Sequence, residues 1–279
     1  MLDGPGRKND KLSVRHSSKL ASKMKSKNNT AQVVIRDCHG LDDFKSCIEI
    51  QQRVWGRDEA GFVPSDMFIV AKKIGGQVIG SFDGDRMVGF ALALPGYRNG
   101  QPYFHSHMLA VHPDYRNLGL GRRMKLAQRE DMLLRGIRRM EWTFDPLEIK
   151  NAHLNFERLG VIVRSYIPNL YGSVSSALQG GLPTDRLIAE WWIESPRVRR
   201  LLDQNNDKVH ADEITTHVTV PSHIYEWKAR GDPRARETQT RVRETLIPLL
   251  QDGVAILQHR VLNDGSGEFG LGRWDEEYS

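Results

Sequence analysis

The sequence predicts an α/β protein built around a mixed sheet, and three observations carry that prediction. Apolar runs of strand length alternate with stretches of helical apolar spacing, in the order strand, helix, hairpin, strand, helix, strand, helix, strand over residues 32–166. The turn Asp83-Gly84-Asp85 lies between two apolar runs, 77–82 and 86–94, which marks a β-hairpin. Residues 102–111, long enough for a strand, meet the breaker His112-Pro113-Asp114. Beyond it come a loop with Gly119 and Gly121 and a helix in which Leu120, Met124, Ala127 and Leu134 recur at helical spacing.

Taken in order, residues 32–37 predict a short strand and 41–54 an amphipathic helix with Leu41, Phe44, Ile48 and Val54 on one face, stopped by Gly56. Residues 68–74 stay open between a helical turn and a strand, and 95–102 predict a second turn. The helix at 119–135 precedes a strand at 138–144 that runs Met140, Trp142 and Phe144 along one side. A helix at 151–159 ends at Gly160, and 161–166 form another strand. Gly180-Gly181-Leu182-Pro183 reads as a linker-like break. It leads to a strand-like or amphipathic stretch at 186–194, a short helix at 195–202, a strand at 213–220, a helix at 234–250, and a hairpin of 254–262 with 269–274 around Asp264-Gly265. The expected organisation is therefore a tail at 1–30, a main domain at 31–175 and a smaller C-terminal α/β extension at 176–279.

The net charge of +5 suggests an anionic partner until it is located. Residues 1–30 hold eight basic residues against Asp3 and Asp10, a surplus of +6, so the other 249 residues sum to about −1. The basicity belongs to a Ser/Lys/Asn-rich tail with little to bury, expected to be disordered: a solvated extension, or an over-long start with Met24 as the true initiator. Contact with nucleic acid is expected only through that tail. No run approaches the roughly 18–20 apolar residues of a membrane span, so no membrane partner is expected. Two cysteines, Cys38 and Cys47, argue against a disulfide framework and fit a reducing cytoplasm. Zinc spacings, a P-loop and a serine-hydrolase elbow are all absent, and no metal is expected.

The strand-loop-helix at 102–135 carries the chemistry. Glycines at a strand-to-helix junction leave successive backbone N–H groups pointing into one concavity at the positive end of a helix, which suits a pyrophosphate. Arg116, Arg122 and Arg123 would add charge-assisted hydrogen bonds to the same anion.

With that loop at its centre, the order of elements resembles the GNAT superfamily of acyl-coenzyme A-dependent N-acyltransferases. The family's loop signature, Arg or Gln, two residues, Gly, one residue, Gly or Ala, is met by Arg116-Asn117-Leu118-Gly119-Leu120-Gly121, preceded by Val111-His112-Pro113. A second family motif, an Asn, then an aromatic residue with Gly four positions after it, is met by Asn151, Phe156 and Gly160. The resemblance covers residues 33–170. It implies a GNAT-type twisted mixed sheet with flanking helices, and an acyl-CoA as co-substrate. The N–H groups of the loop from Arg116 through Asn117, Leu118, Gly119, Leu120 and Gly121 to Arg122 would hold the pyrophosphate. Leu109, Ala110 and Val111 would hydrogen-bond the pantetheine arm as if it were an added strand, and Asn151 would contact it from the other side. The physical demand behind this is a splayed pair of parallel strands, 108–111 and 140–144, whose unpaired edges the cofactor satisfies.

For catalysis, acyl transfer to an amine needs a base, oxyanion donors and often an acid for the departing thiolate. Many members use a tyrosine as the acid, at the place held here by Phe156, which has no proton to give. Tyr171, Tyr166 or water would substitute, or the thiolate leaves unassisted. For the base, strand alternation puts His105 and His107 on one face with Leu109 and Val111, and His107 is the first candidate. Asp145, at the sheet's carboxyl edge, is a base, an amine anchor or a turn cap. Arg129, Arg135, Arg138 and Arg139 are read as a solvated face.

The longer chain is also similar to a bacterial branch with TFDPL before NAHLNF and a Trp-rich segment downstream, which implies acetyl-CoA or succinyl-CoA as donor and the primary amine of a small molecule, an amino acid among them, as acceptor. A succinyl donor would need a cation in the acyl pocket, from Arg164, Arg186 or Arg197. Two other functions stay open: a CoA-binding regulator without turnover, and an acyltransferase acting on a protein or a nucleic-acid-associated substrate through residues 1–30. A homodimer is likewise left open.

Overall fold

The computed structural model describes residues 32–56, 62–172, 179–203 and 214–274; the basic tail and the start of the strand expected at 213–220 lie outside them. Strand β1 (Val34–Asp37) leads into α1 (Gly40–Trp55), which buries Phe44, Cys47, Ile50 and Gln51 at helical spacing and stops at Gly56 with φ of 98°. The ambiguous stretch at 68–74 is helical: α2 (Ser65–Lys73) buries Phe68 and Ala71 beneath Phe44 and Phe90. β2 (Gln77–Asp83) and β3 (Arg86–Arg98) form the expected hairpin, with Gly84 supplying the positive φ.

The turn expected at 95–102 shrinks to two residues. β3 runs on to Arg98, pairs with β4 (Gln101–Val111), and only Asn99 and Gly100 turn, with φ of 50° and 78°. Two positive φ values in an Asn-Gly pair match the twist of antiparallel strands, which lets both strands extend past their prolines.

α3 (Leu120–Leu134) buries Leu120, Met124, Lys125, Gln128 and Met132 against the sheet. β5 (Arg139–Phe144) follows, then α4 (Ile149–His153), which widens into a π-helical turn over Leu154–Leu159 before Gly160, at φ of 76°, ends it. β6 (Ile162–Ile167) and β7 (Arg186–Trp192) come next, then α5 (Pro196–Asp203), β8 (Thr216–Val220), α6 (Ile224–Arg230), α7 (Pro233–Gln251), β9 (Val254–Val261) and β10 (Gly267–Arg273).

These strands make one ten-stranded sheet in the order β1-β2-β3-β4-β5-β7-β6-β9-β10-β8. Only β4 and β5 pair in parallel. β7, which the sequence reading assigned to the extension beginning at residue 176, lies between β5 and β6. The chain break at Gly180–Pro183 is thus a connection inside the main sheet. The largest core cluster also crosses the expected boundary, joining Phe144, Phe156 and Trp191 to Val242, Leu246 and Phe269.

Candidate active site

β4 and β5 are hydrogen-bonded at two positions, Phe104↔Met140 and His105↔Glu141, and then part. The outer edge of β4 stays paired with β3 out to Val111, and the outer edge of β5 with β7 out to Phe144. The inner edges of 106–111 and 142–144 therefore face one another without ladder bonds, a pair of strand edges an extended ligand can complete.

A β-bulge helps to set this geometry. Leu92 pairs with Met108 and Ala93 with Ser106, so His107 is the extra residue. It also overturns the alternation expected for the strand. Ser106 faces α3, where Lys125 Nζ donates to its Oγ at 2.7 Å. Leu109, an odd number of residues on, faces α3 as well, and Val111 packs with Leu120. His105 and His107 remain together on the other face, ring centroids 6.2 Å apart, away from Leu109 and Val111.

At the carboxyl end of β4 the loop has the conformation its glycines suggested. Asn117 and Gly119 are both left-handed, with φ of 61° and 77°, flanking Leu118. Gly119 caps α3, whose first backbone bond runs from Arg123 N to Gly119 O. The preceding N–H groups have no partner within the helix and stand at its positive end. A Cβ at Gly119 would meet nothing within 4 Å, so open space lies over the loop. Arg116 is exposed beside it, whereas Arg122 donates to Arg158 O and Arg123 to Val33 O, which fixes both along neighbouring backbone.

On the face of β4 and β5 opposite α3 lies a cavity of about 560 Å³ lined by His105, Glu141, Thr143 and Tyr171 together with Arg98, Arg139, Arg164 and Glu190. Burial, helped by the positive charges of His107, Lys125 and Arg98, holds the His105 imidazole below its ordinary pKa. Tyr171 OH and Thr143 Oγ1 are hydrogen-bonded at 2.9 Å. Glu141 is buried and ion-paired to Arg98 at 3.1 Å and to Arg139; Glu190 holds Arg164 through both carboxylate oxygens.

Residues 44–161 match the family model described as Acetyltransferase (GNAT) family. This part of the chain belongs to the GNAT acetyltransferases. Among curated proteins, none matches the chain. Solved structures similar to it include the ribosomal-protein-S18-alanine N-acetyltransferase from Escherichia coli, at 18% identity and TM-score 0.46 over 58% of this chain and 95% of that one. Aminoglycoside 6'-acetyltransferase type Ii is 17% identical, with TM-score 0.47 over 58% and 98%. Arabidopsis thaliana Naa50, in complex with a bisubstrate analogue, is 13% identical, with TM-score 0.45 over 57% and 97%.

The remaining site candidates fall into two groups within this GNAT architecture. Leu109, Ala110 and Val111 lie on the parted edge, and Asn151 is exposed on α4. Phe156, by contrast, is 1% exposed and packs edge-on against Phe144 and Phe269, so its ring belongs to the core and not to a cofactor surface. Asp145 caps a turn through Leu147 N at 2.8 Å and accepts from Lys228 Nζ at 3.0 Å, beneath α6. Both oxygens are committed, which is the turn-capping alternative. Burial first, and then the Asp185 carboxylate to which its OH donates at 2.5 Å, push the Tyr166 phenol pKa upward, while Asp185, which also takes Arg243 bidentately, keeps that hydroxyl in a structural role. Arg197 donates to the carbonyls of Gly160 and Leu257, and Arg186 to that of Asp185. Of the three arginines considered for an acyl pocket, Arg164 alone reaches the cavity described above.

Arg139, expected on a solvated face, is instead part of the cavity wall. Lys125 was not anticipated at all. Its side chain is buried, over the Trp142 ring at 3.7 Å, and desolvation lowers its pKa well below the usual lysine value.

Proposed function

We propose that this protein transfers an acyl group, acetyl or succinyl, from its coenzyme A thioester to the primary amine of a small molecule, an amino acid being the acceptor to test first. The observation that carries the reading is the parting of β4 from β5 between a loop with two left-handed residues at the start of α3 and a cavity lined by His105 on one face. The free N–H groups ahead of Arg123 suit the pyrophosphate, and the inner edge from Leu109 to Val111 suits an extended pantetheine arm. The thioester, when bound, supplies the activated acyl carbon and a thiolate leaving group.

The chain's own residues do the rest. His105, neutral at pH 7 because its pKa is depressed, accepts a proton from the incoming ammonium, which frees the nitrogen lone pair. His107 lies beside it on the same face as the second candidate base. The Tyr171 hydroxyl, oriented by Thr143, is the proton donor for the thiolate. Phe156 cannot take that part, being sealed in the core.

Purified protein, given acetyl-CoA or succinyl-CoA with a panel of amino acids, is expected to release free thiol and an N-acylated product detectable by mass. kcat/KM should rise with pH along a limb centred below the ordinary histidine value, because burial holds the His105 pKa under it. His105→Gln should cost on the order of 100-fold and remove that limb. Absence of product with both donors, or an unaltered profile in His105→Gln, would contradict the assignment.

A further inference from the structure

The cavity beside His105 does not end there. A second cavity of about 630 Å³ shares Arg98, Asn99, Arg139 and Arg164 with the first and adds Arg138. Among the residues lining the second cavity four are arginines and none is acidic. Across the two, four arginines face the lining carboxylates Glu141 and Glu190, and Arg138 also lies 3.7 Å from Glu194 just outside them, so four positive charges meet three negative ones, an excess of one.

The two lining carboxylates are not available to a cationic ligand. The Glu141 and Glu190 side chains are only 4% and 7% exposed, and both are spent on the arginines. The guanidinium of Arg98, by contrast, is half exposed, and that of Arg138 largely so. Arg139 is stacked within 5.5 Å of the Tyr103 ring and 5.2 Å of the Trp192 ring, and Arg98 lies 4.9 Å over Tyr103. A guanidinium has five N–H donors, and Arg98 spends one of Nη1 on Glu141 and one of Nη2 on the Tyr103 hydroxyl, which leaves its Nε–H and the second N–H of each Nη to meet an oxyanion. Low-dielectric walls concentrate the field of such a cluster on whatever enters.

We infer that the acceptor amine itself carries an oxyanion, a carboxylate or a phosphate, which the arginines shared by the two cavities hold while the amine faces His105. This rests on the acyl-transfer reading and narrows its acceptor to acidic amines. Alkylammonium ions with no oxyanion, monocationic or dicationic, are disfavoured by the same field.

The test uses the full chain with acetyl-CoA and succinyl-CoA and four amines: glutamate, O-phosphoethanolamine, n-butylamine and cadaverine. At least one of the two acidic amines should show a KM tenfold or more below those of n-butylamine and cadaverine, rising steeply with salt; which of them is better separates carboxylate from phosphate. Arg98→Gln and Arg138→Gln remove cavity charge while Glu141 keeps Arg139 as partner, so both variants should fold with the wild-type circular dichroism spectrum. Each should raise the KM for the preferred acidic amine tenfold with little change in kcat. Equal use of n-butylamine or cadaverine, or an unmoved KM in both variants, overturns the inference while leaving acyl transfer standing. Calorimetric binding of an acidic amine without thiol release from either donor does the reverse: it keeps the anion site and removes the acyl-transfer reading.

Discussion

Phe156 is the residue at which the chain departs from many GNAT enzymes, and its surroundings say what restoring a tyrosine would do. The ring touches Phe144 and Phe269 edge-on and is 1% exposed. A hydroxyl added there enters a dry aromatic cluster and loses its water without gaining a defined partner. Phe156→Tyr is therefore expected to destabilise the protein by about 1–3 kcal/mol and to leave kcat no higher, measured by denaturant unfolding and steady-state thiol release. A rise in kcat would show instead that this position reaches the thioester. Single residues also show why the site was only partly legible. Residues 139–144 alternate strictly, and Met140, Trp142 and Phe144 were readable as a buried face. The same alternation made Arg139, Glu141 and Thr143 the opposite face, but nothing local tells a cavity wall from a solvated one. Arg98 and Arg164 arrive from other strands, and Lys125 reads as an ordinary helix-surface residue until the helix is docked.

At the scale of elements, the strand-loop-helix was legible because its signals are local. Breaker, positive-φ positions and the apolar stripe of α3 each depend on a few neighbouring residues. The bulge at His107 was not, because it exists only as a mismatch between β3 and β4. That mismatch reassigned Leu109 and Val111 to the α3 side and left the two histidines together on the opposite face, where His105 lines the cavity. The loop itself can be tested apart from the fold. Gly119 has φ of 77°, and a Cβ built on it clashes with nothing. Gly119→Ala should thus cost only about 1–2 kcal/mol, for holding an L-residue in the left-handed region. The added methyl enters the open space over the loop, and if the pyrophosphate occupies that space CoA affinity should fall by roughly tenfold or more in titration calorimetry, the loss of about one good charge-assisted bond. Unchanged affinity in a folded Gly119→Ala protein would place the pyrophosphate elsewhere.

On the scale of the whole molecule, the elements beyond residue 176 extend the main sheet, with β7 inserted between β5 and β6 and with β9, β10 and β8 continuing it beyond β6. Strand order is a non-local property, so the position of β7 between β5 and β6 could not be read from the sequence around it. The consequence is energetic. β10 supplies Phe269 to the ring of Phe156, α7 supplies Val242 and Leu246 to the same core, and Arg243 closes on Asp185 between β6 and β7. A chain stopped after Asp203 would strip these contacts from β6 and from the π-helical turn. At about 25 cal/mol per Å², uncovering even the two side chains Phe156 and Val163 forfeits on the order of 3–5 kcal/mol, comparable with the net stability of many domains. It would also leave β6 as an unprotected edge. Residues 1–203 alone are therefore expected to be aggregated or molten, with lost near-ultraviolet dichroism. The full chain should unfold in one transition, in which a reporter on Cys47, in the amino-terminal core, and the fluorescence of Trp227, on α6, move together. Separate transitions at those two probes, or a soluble 1–203 fragment that still binds CoA, would mean that the C-terminal elements are an appended lobe after all.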